Sequence, residues 1–590
     1  WRAFPLYLEN INAPADIRGY TAEQRRILAQ EMRDALITRT SLIGGHIGPN
    51  LGIIEATIAL HTVFDAPRDK IVFDVSHQCY PHKMLTGRVG AYINEAEYHD
   101  VSGFTNTDES AHDLFNIGHT STGISLAAGL AKARNLTGGT ENVVVVIGDG
   151  AMSGGEALEG LNFIGEMGTN FIIVFNDNDQ SISENHGGMY AKFKEMRETN
   201  GQAEDNLFRA LGLRYRYVAD GNDAEELIRV FSEEKDSTSP VVIHIHTTKG
   251  KGLSFAENDP EGWHRHAPFH LETGIAKKTS SPEPYTPATV DFVLETARRN
   301  PNFVYLSAGI VGGINLSPAQ RAELGSQYID VGIAEEHAVA MASGLARAGA
   351  RPIFGTYSTF FQRTYDQMAQ DVAINRSPAV FLATGTSLYR STDVTHLGFY
   401  DISIFSNIPN LVYLAPTSVA EHIAVLRWAV EQREHPVMIR MPFSGYEESP
   451  YPVRTDYRDL NKSIVVTEGR DVALIGVGNF AALASEAAEE LAYEGIHATV
   501  INPLYLSGLD EELLYSLRGK HSLILTLEDG ILAGGFGQKV ASFYARTGDV
   551  RVLTYGLPKA FFNRYNPDAL AREYHLTAPQ IAADVLRELA

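Results

Sequence analysis

Residues 143–183 read VVVVIGDGAMSGGEALEGLNFIGEMGTNFIIVFNDNDQSIS. Two apolar runs, 143–147 and 171–175, end in polar tips, Gly148-Asp149-Gly150 and Asn176-Asp177-Asn178. Runs that are apolar on both faces belong to parallel strands covered by helices on either side. Asp149 and Asn178 lie 29 residues apart (178 − 149), which suits one strand–helix–strand unit. A right-handed crossover sets two such strands side by side, and both side-chain oxygens then reach the crevice at the carboxyl edge of the sheet. Hard oxygen ligands suit Mg²⁺ or Ca²⁺, and Mg²⁺ completes its octahedron with phosphate oxygens. Gly148 and Gly150 let backbone approach an anion, and a helix opening near Ser153 aims its N-terminus there. The plainer alternative, two turns capping buried strands, leaves this spacing unexplained.

The same alternation extends in both directions. Toward the N-terminus, TAEQRRILAQEMRDALITRT predicts a helix with Leu28, Met32 and Leu36 on one face, Thr21 as N-cap and Gln24 three residues later. KIVFDVS, PVVIHIH and, later, RPIFGTY, PAVFLATG, LVYLAP, PVMIRMP, VALIGVG, HATVINP, SLILTLEDG and VRVLTYG are strand-like. Polar stretches near 276–290 and 443–462 interrupt the series. The expectation is an α/β protein of three doubly wound domains with mostly parallel sheets: 1–280, 288–448 and 460–590.

The 590 residues carry a formal charge of −23, a sign that disfavours nucleic acid and anionic membranes as partners. Small anionic substrates then need local basic pockets. A single cysteine, Cys79, excludes a disulfide framework and fits a reducing, cytoplasmic setting; a buried apolar role suits it better than a nucleophilic one. No run reaches the length of a membrane span.

GDG followed some thirty residues later by Asn resembles the signature of thiamine-diphosphate enzymes. That resemblance implies Mg²⁺ held by Asp149, Asn178 and the Gln180 main-chain carbonyl. It implies cofactor contacts from His77, Gly118, His119, Ser121, Thr122, Gly148, Gly150, Ala151, Asn178 and Lys249. In YIDVGIAEEHAVAMASGLA, acids opening an apolar helix would ordinarily just complement its dipole. The thiamine pattern instead places the cofactor-activating carboxyl at Glu335, since a desolvated Glu keeps its proton available, and sets Phe360 against the pyrimidine.

Four segments are similar to the 1-deoxy-D-xylulose-5-phosphate synthase family: GGHIGPNLGIIEATIALHTVF with DVSHQCYPHKMLTGR, SISEN, DVGIAEEHAVAMASGLA and YSTFFQRTYDQ. The resemblance implies a homodimeric enzyme joining pyruvate to D-glyceraldehyde 3-phosphate with loss of CO₂, making a precursor of isoprenoids, thiamine and pyridoxal. His46 and His264 would shuttle protons and His77 would assist. Tyr357, Arg363, His396 and Arg440 would line the substrate end. The pattern departs in ATGTSLYRSTDVTHLGFYD, where the family's arginine falls near Gly385 or Thr386, and at Phe443, where a second arginine is missing. Arg390 or Asp393 are the candidate replacements. The segment after SISEN is also short. Losing such phosphate contacts would cost around 1.5–3 kcal/mol each, enough to change the acceptor. The alternatives are a related acyloin synthase or transketolase and, more remotely, a non-catalytic assembly subunit.

Overall fold

A computed structural model describes residues 7–277, 285–310, 313–441 and 444–590; Phe443 lies outside them. The chain divides into two compact units, Trp1–Ser281 with Gly332–Ala334, and Pro282–Val331 with Glu335–Ala590.

The first unit is built on strands β1 (Lys70–Phe73), β2 (Val143–Gly148), β3 (Phe171–Asp177), β4 (Arg214–Val218) and β5 (Pro240–His246), in the order β1-β2-β3-β5-β4. All four pairings are parallel. Alternate residues of β2 and β3 feed opposite cores: Val143, Val145, Ile147, Phe171, Ile173 and Phe175 pack on one face, and Val144, Val146, Ile172 and Val174 on the other. Burial on both faces is what makes these strands read as unbroken apolar runs. Gly148 pairs in register with Asn176, so Asp149 and Asn178 both leave the sheet at the same edge. The helix after β2 differs from the expectation. Asp149 itself opens a short helix, Asp149–Met152, and a second, Gly155–Gly165, follows it.

Helix Ala22–Ile43 carries the capping box, with Thr21 Oγ1 accepting from Gln24 N (3.3 Å) and Gln24 Oε1 accepting from Thr21 N (2.8 Å). Leu28, Met32 and Leu36 are fully buried. Cys79 is buried as well, and burial pushes its thiol up to about 12, which leaves it a packing residue.

The second unit holds two sheets. In one, strands β6 (Phe303–Ser307), β7 (Tyr328–Asp330), β8 (Arg351–Tyr357), β9 (Val380–Thr384), β10 (Val412–Leu414) and β11 (Val437–Arg440) are ordered β10-β11-β9-β8-β6-β7, all parallel. In the other, β12 (Ile464–Thr467), β13 (Val472–Gly476), β14 (Ala498–Asn502), β15 (Leu523–Ile531) and β16 (Arg551–Leu557) are ordered β12-β14-β13-β15-β16, with β12 antiparallel to β14. One hydrophobic core contains Phe354 and Phe381 of the first of these sheets together with Ile475 and Ile524 of the second. Among the described residues no helix is long and apolar enough to cross a membrane.

Candidate active site

At the carboxyl edge of β2 and β3 the polar tips converge. The Asp149 carboxylate accepts from Gly150 N through Oδ1 (2.9 Å) and from Asn185 Nδ2 through Oδ2 (2.9 Å). Burial, and then the neighbouring Asp177 carboxylate, push Asp149 up to about 8. Asn178 Oδ1 is buried and makes no hydrogen bond. Ser181 packs so closely on Gly150 that a Cβ there would lie 2.7 Å from its hydroxyl, whereas one on Gly148 would meet nothing within 4 Å. A desolvated carboxylate and an orphaned amide oxygen are donors that fit a hard divalent cation.

The surrounding residues hold this edge in shape. Ser121, at φ +75°, donates from Oγ to Ala151 O (2.8 Å). Asp74, just after β1, accepts from Ser121 N (3.0 Å) and Gly123 N (2.7 Å), which fixes the Gly118–Thr122 stretch at the start of helix Gly123–Thr137. Lys249 donates to Ser181 O at 2.5 Å, and burial lowers its amine to about 8.

His46, His77 and His264 come together, with ring centroids 5.3 Å (46–77), 5.7 Å (46–264) and 5.1 Å (77–264) apart. Asn50, fully buried, donates from Nδ2 to both His46 O (2.6 Å) and His77 O (2.7 Å) and accepts from Tyr80 N (2.9 Å). Burial, then the positive charge of Lys249, hold the His264 imidazole well below its ordinary range. It is therefore neutral at neutral pH.

In the second unit, Glu335 opens helix Glu335–Arg347 and is 3% exposed. Burial pushes its carboxyl up to about 7, with Arg363 opposing. The Arg363 guanidinium lies 3.4 Å from Glu335 Oε2 and 4.0 Å from Glu336. Tyr357, Phe360 and His396 gather, with Phe360 5.6 Å from each of the other two rings.

Arg440 requires a correction. It is 1% exposed, donating to Asp401 (2.8 Å) and Asp529 (2.6 Å), and these carboxylates hold its charge against the cost of burial. A guanidinium committed to two acids is a structural cation here.

The divergent loop is equally committed. Gly385 has φ +66°, and a Cβ there would lie 3.2 Å from the Tyr357 ring. Thr386 is buried and donates to Met441 O (2.7 Å), so neither position has room for an arginine. Asp393 caps the turn Val394–His396 by accepting from Thr395 N and Oγ1, while Arg390 stands exposed. Tyr565 donates to Leu388 O and Ser391 O and anchors the loop.

Residues 8–204 and 191–247 match the family described as 1-deoxy-D-xylulose-5-phosphate synthase, 285–447 the transketolase pyrimidine binding domain, and 461–581 the transketolase C-terminal domain. A 1-deoxy-D-xylulose-5-phosphate synthase of Desulforudis audaxviator is 37% identical over 97% of this chain and 96% of its own length. Namesakes from Heliobacterium modesticaldum (36%, 99% of this chain and 95% of theirs) and Trichormus variabilis (35%, 99% and 98%) are similarly close. The chain belongs to the 1-deoxy-D-xylulose-5-phosphate synthase family. It is therefore a transketolase-type transferase, and the family implies thiamine diphosphate as cofactor.

Within this family frame, the sequence reading missed Asp74, Asn50, Asn185 and Arg197, whose guanidinium pairs with Asp177 and Asp179. Asp74 carried a legible signal, an acid directly after an apolar strand. The other three reach their partners through tertiary contacts that no local spacing encodes.

Proposed function

We propose that the protein joins pyruvate to D-glyceraldehyde 3-phosphate, releasing CO₂ and forming 1-deoxy-D-xylulose 5-phosphate, with thiamine diphosphate held through Mg²⁺. The observation that carries this reading is the 37% identity to a 1-deoxy-D-xylulose-5-phosphate synthase along 97% of the chain. The three segments 1–280, 288–448 and 460–590 then serve as diphosphate, pyrimidine and C-terminal domains.

Asp149, Asn178 and the Gln180 carbonyl would hold the cation. His77, Gly118, His119, Ser121, Thr122, Gly148, Gly150, Ala151 and Lys249 would line the diphosphate. Bound thiamine diphosphate supplies the carbon nucleophile and electron sink that side chains lack. Glu335, with its carboxyl raised to about 7, keeps a proton on its carboxyl oxygen near neutrality and offers it to the ring nitrogen it would face. Phe360 offers a ring face for stacking. The neutral imidazole of His264, beside His46 and His77, can accept a proton from a substrate hydroxyl and return it. Tyr357, His396 and Arg363 would orient the substrates. The family resemblance supports a homodimer in the cytoplasm, and light scattering tests the dimer.

One observation favours a second reading, a different aldehyde acceptor: Arg440 is already neutralised by Asp401 and Asp529. Steady-state rates with pyruvate and a panel of phosphorylated and unphosphorylated aldehydes separate the two. The proposal expects D-glyceraldehyde 3-phosphate to have the highest kcat/KM. Preference for an unphosphorylated aldehyde, or turnover only with a ketose phosphate donor, would replace it with an acyloin synthase or a transketolase.

A further inference from the structure

The loop bearing Asn178 and Gln180 is gripped by one guanidinium. Arg197, in helix Gly188–Glu198, donates to Asp177 Oδ2 at 2.5 Å and to Asp179 Oδ1 at 2.6 Å. These partners flank Asn178 in the chain, so the arginine fork spans the very residue whose amide oxygen is buried and unpartnered. Asp177 is fixed from other sides too: Oδ2 meets His244 Nε2 (2.9 Å), His244 Nδ1 meets the Tyr215 hydroxyl (2.7 Å), and Oδ1 accepts from Asp179 N (3.0 Å). Asp179 has φ +63°, a conformation costly for an L-residue, and the ion pair to Arg197 helps to keep it there.

A second arm reaches the facing tip. Asn185 donates from Nδ2 to Asp149 Oδ2 at 2.9 Å, and its own Oδ1 is buried without a partner. The short stretch from Asn185 to Arg197 thus touches both loops that would carry cation ligands.

We propose that Arg197 and Asn185 are positioning residues for the divalent cation, setting where Asn178 and Asp149 stand and so how tightly the cation is held. The inference rests on the reading of Asp149, Asn178 and the Gln180 carbonyl as the cation site. Arginine suits the task because its planar fork pins two carboxylates at once, whereas a lysine ammonium is a single point charge. Loss of groups that orient metal ligands typically weakens metal binding about 10–100-fold.

The test is calorimetric titration of Mg²⁺ into the full chain with thiamine diphosphate present, beside thermal melts of the metal-free protein. Arg197→Met is expected to weaken Mg²⁺ by about tenfold or more, and Arg197→Lys by less. Saturating Mg²⁺ should restore kcat in both. Asn185→Ser, which removes a single hydrogen bond at a partly exposed site, should weaken Mg²⁺ in the same direction and covers the case in which Arg197→Met fails to fold. A purely structural role predicts lower melting points with Mg²⁺ affinity within twofold of wild type, and that result in Arg197→Lys and Asn185→Ser overturns the inference. A wild-type chain that binds no Mg²⁺ with the cofactor overturns the cation-site reading itself, and this inference with it.

Discussion

Glu335 shows how burial turns an ordinary carboxyl into a proton-holding one. Between pH 4.5 and about 7 the folded chain keeps a proton there that the unfolded chain has lost, so this group's stabilising contribution is complete below pH 4.5 and lost as pH rises through 7. Glu335→Gln, which cannot ionise, should therefore raise the melting point of the cofactor-free protein at pH 8 but not at pH 4.5. The gain is worth up to about 3 kcal/mol. Equal melting points at pH 8 would mean that the buried carboxyl ionises at no cost. At this scale the sequence was legible where chemistry and position coincide. Asp149 and Asn178 read as hard oxygens at the ends of apolar strands, whereas Glu335 took its expected role from the resemblance to thiamine-diphosphate enzymes. Arg440, placed at the substrate end only by resemblance, has a partner, Asp529, that lies 89 residues away, where no pattern points.

Elements whose both faces are buried were readable throughout, because continuous apolar runs such as β2, β3 and β13 have few alternatives. Two edge strands, β4 and β12, were missed: β4 alternates arginine with tyrosine and is mostly half-buried, and β12 is only four residues long. The divergent segment from Gly385 to Gly398 was legible as a departure but not as a shape, since glycines there answer to close approaches made by distant backbone. A Cβ on Gly398 would lie 2.0 Å from Gly385 O, a collision with backbone that nothing flexible can relieve. Gly385→Ala faces only the left-handed backbone penalty of about 1 kcal/mol and a close contact with the Tyr357 ring. Gly398→Ala should accordingly damage both melting point and pyruvate turnover more than Gly385→Ala, as paired melts and kinetics would show. The reverse order would mean that the two glycines do not pin this loop.

Across the whole molecule, the two sheets on either side of the polar stretch near 443–462 share a core, and the buried Arg440–Asp401–Asp529 cluster joins β11 to β15. Asp529→Leu leaves the Arg440 charge half-compensated and should cost about 3–5 kcal/mol. The loss should appear in hydrogen exchange as reduced protection of β9 and β13 together; loss confined to β13 would mean that the two sheets unfold independently. The acidic exterior, −23 overall, means that anionic substrates need local basic pockets. The central claim is that this fold performs a decarboxylative ligation, and mass spectrometry of the products tests it most directly. Purified full-length protein with pyruvate, D-glyceraldehyde 3-phosphate, thiamine diphosphate and Mg²⁺ should yield 1-deoxy-D-xylulose 5-phosphate and CO₂ in equal amounts, and Glu335→Gln should abolish both. Absence of the five-carbon product from the wild-type reaction, or its undiminished formation by Glu335→Gln, would contradict the account.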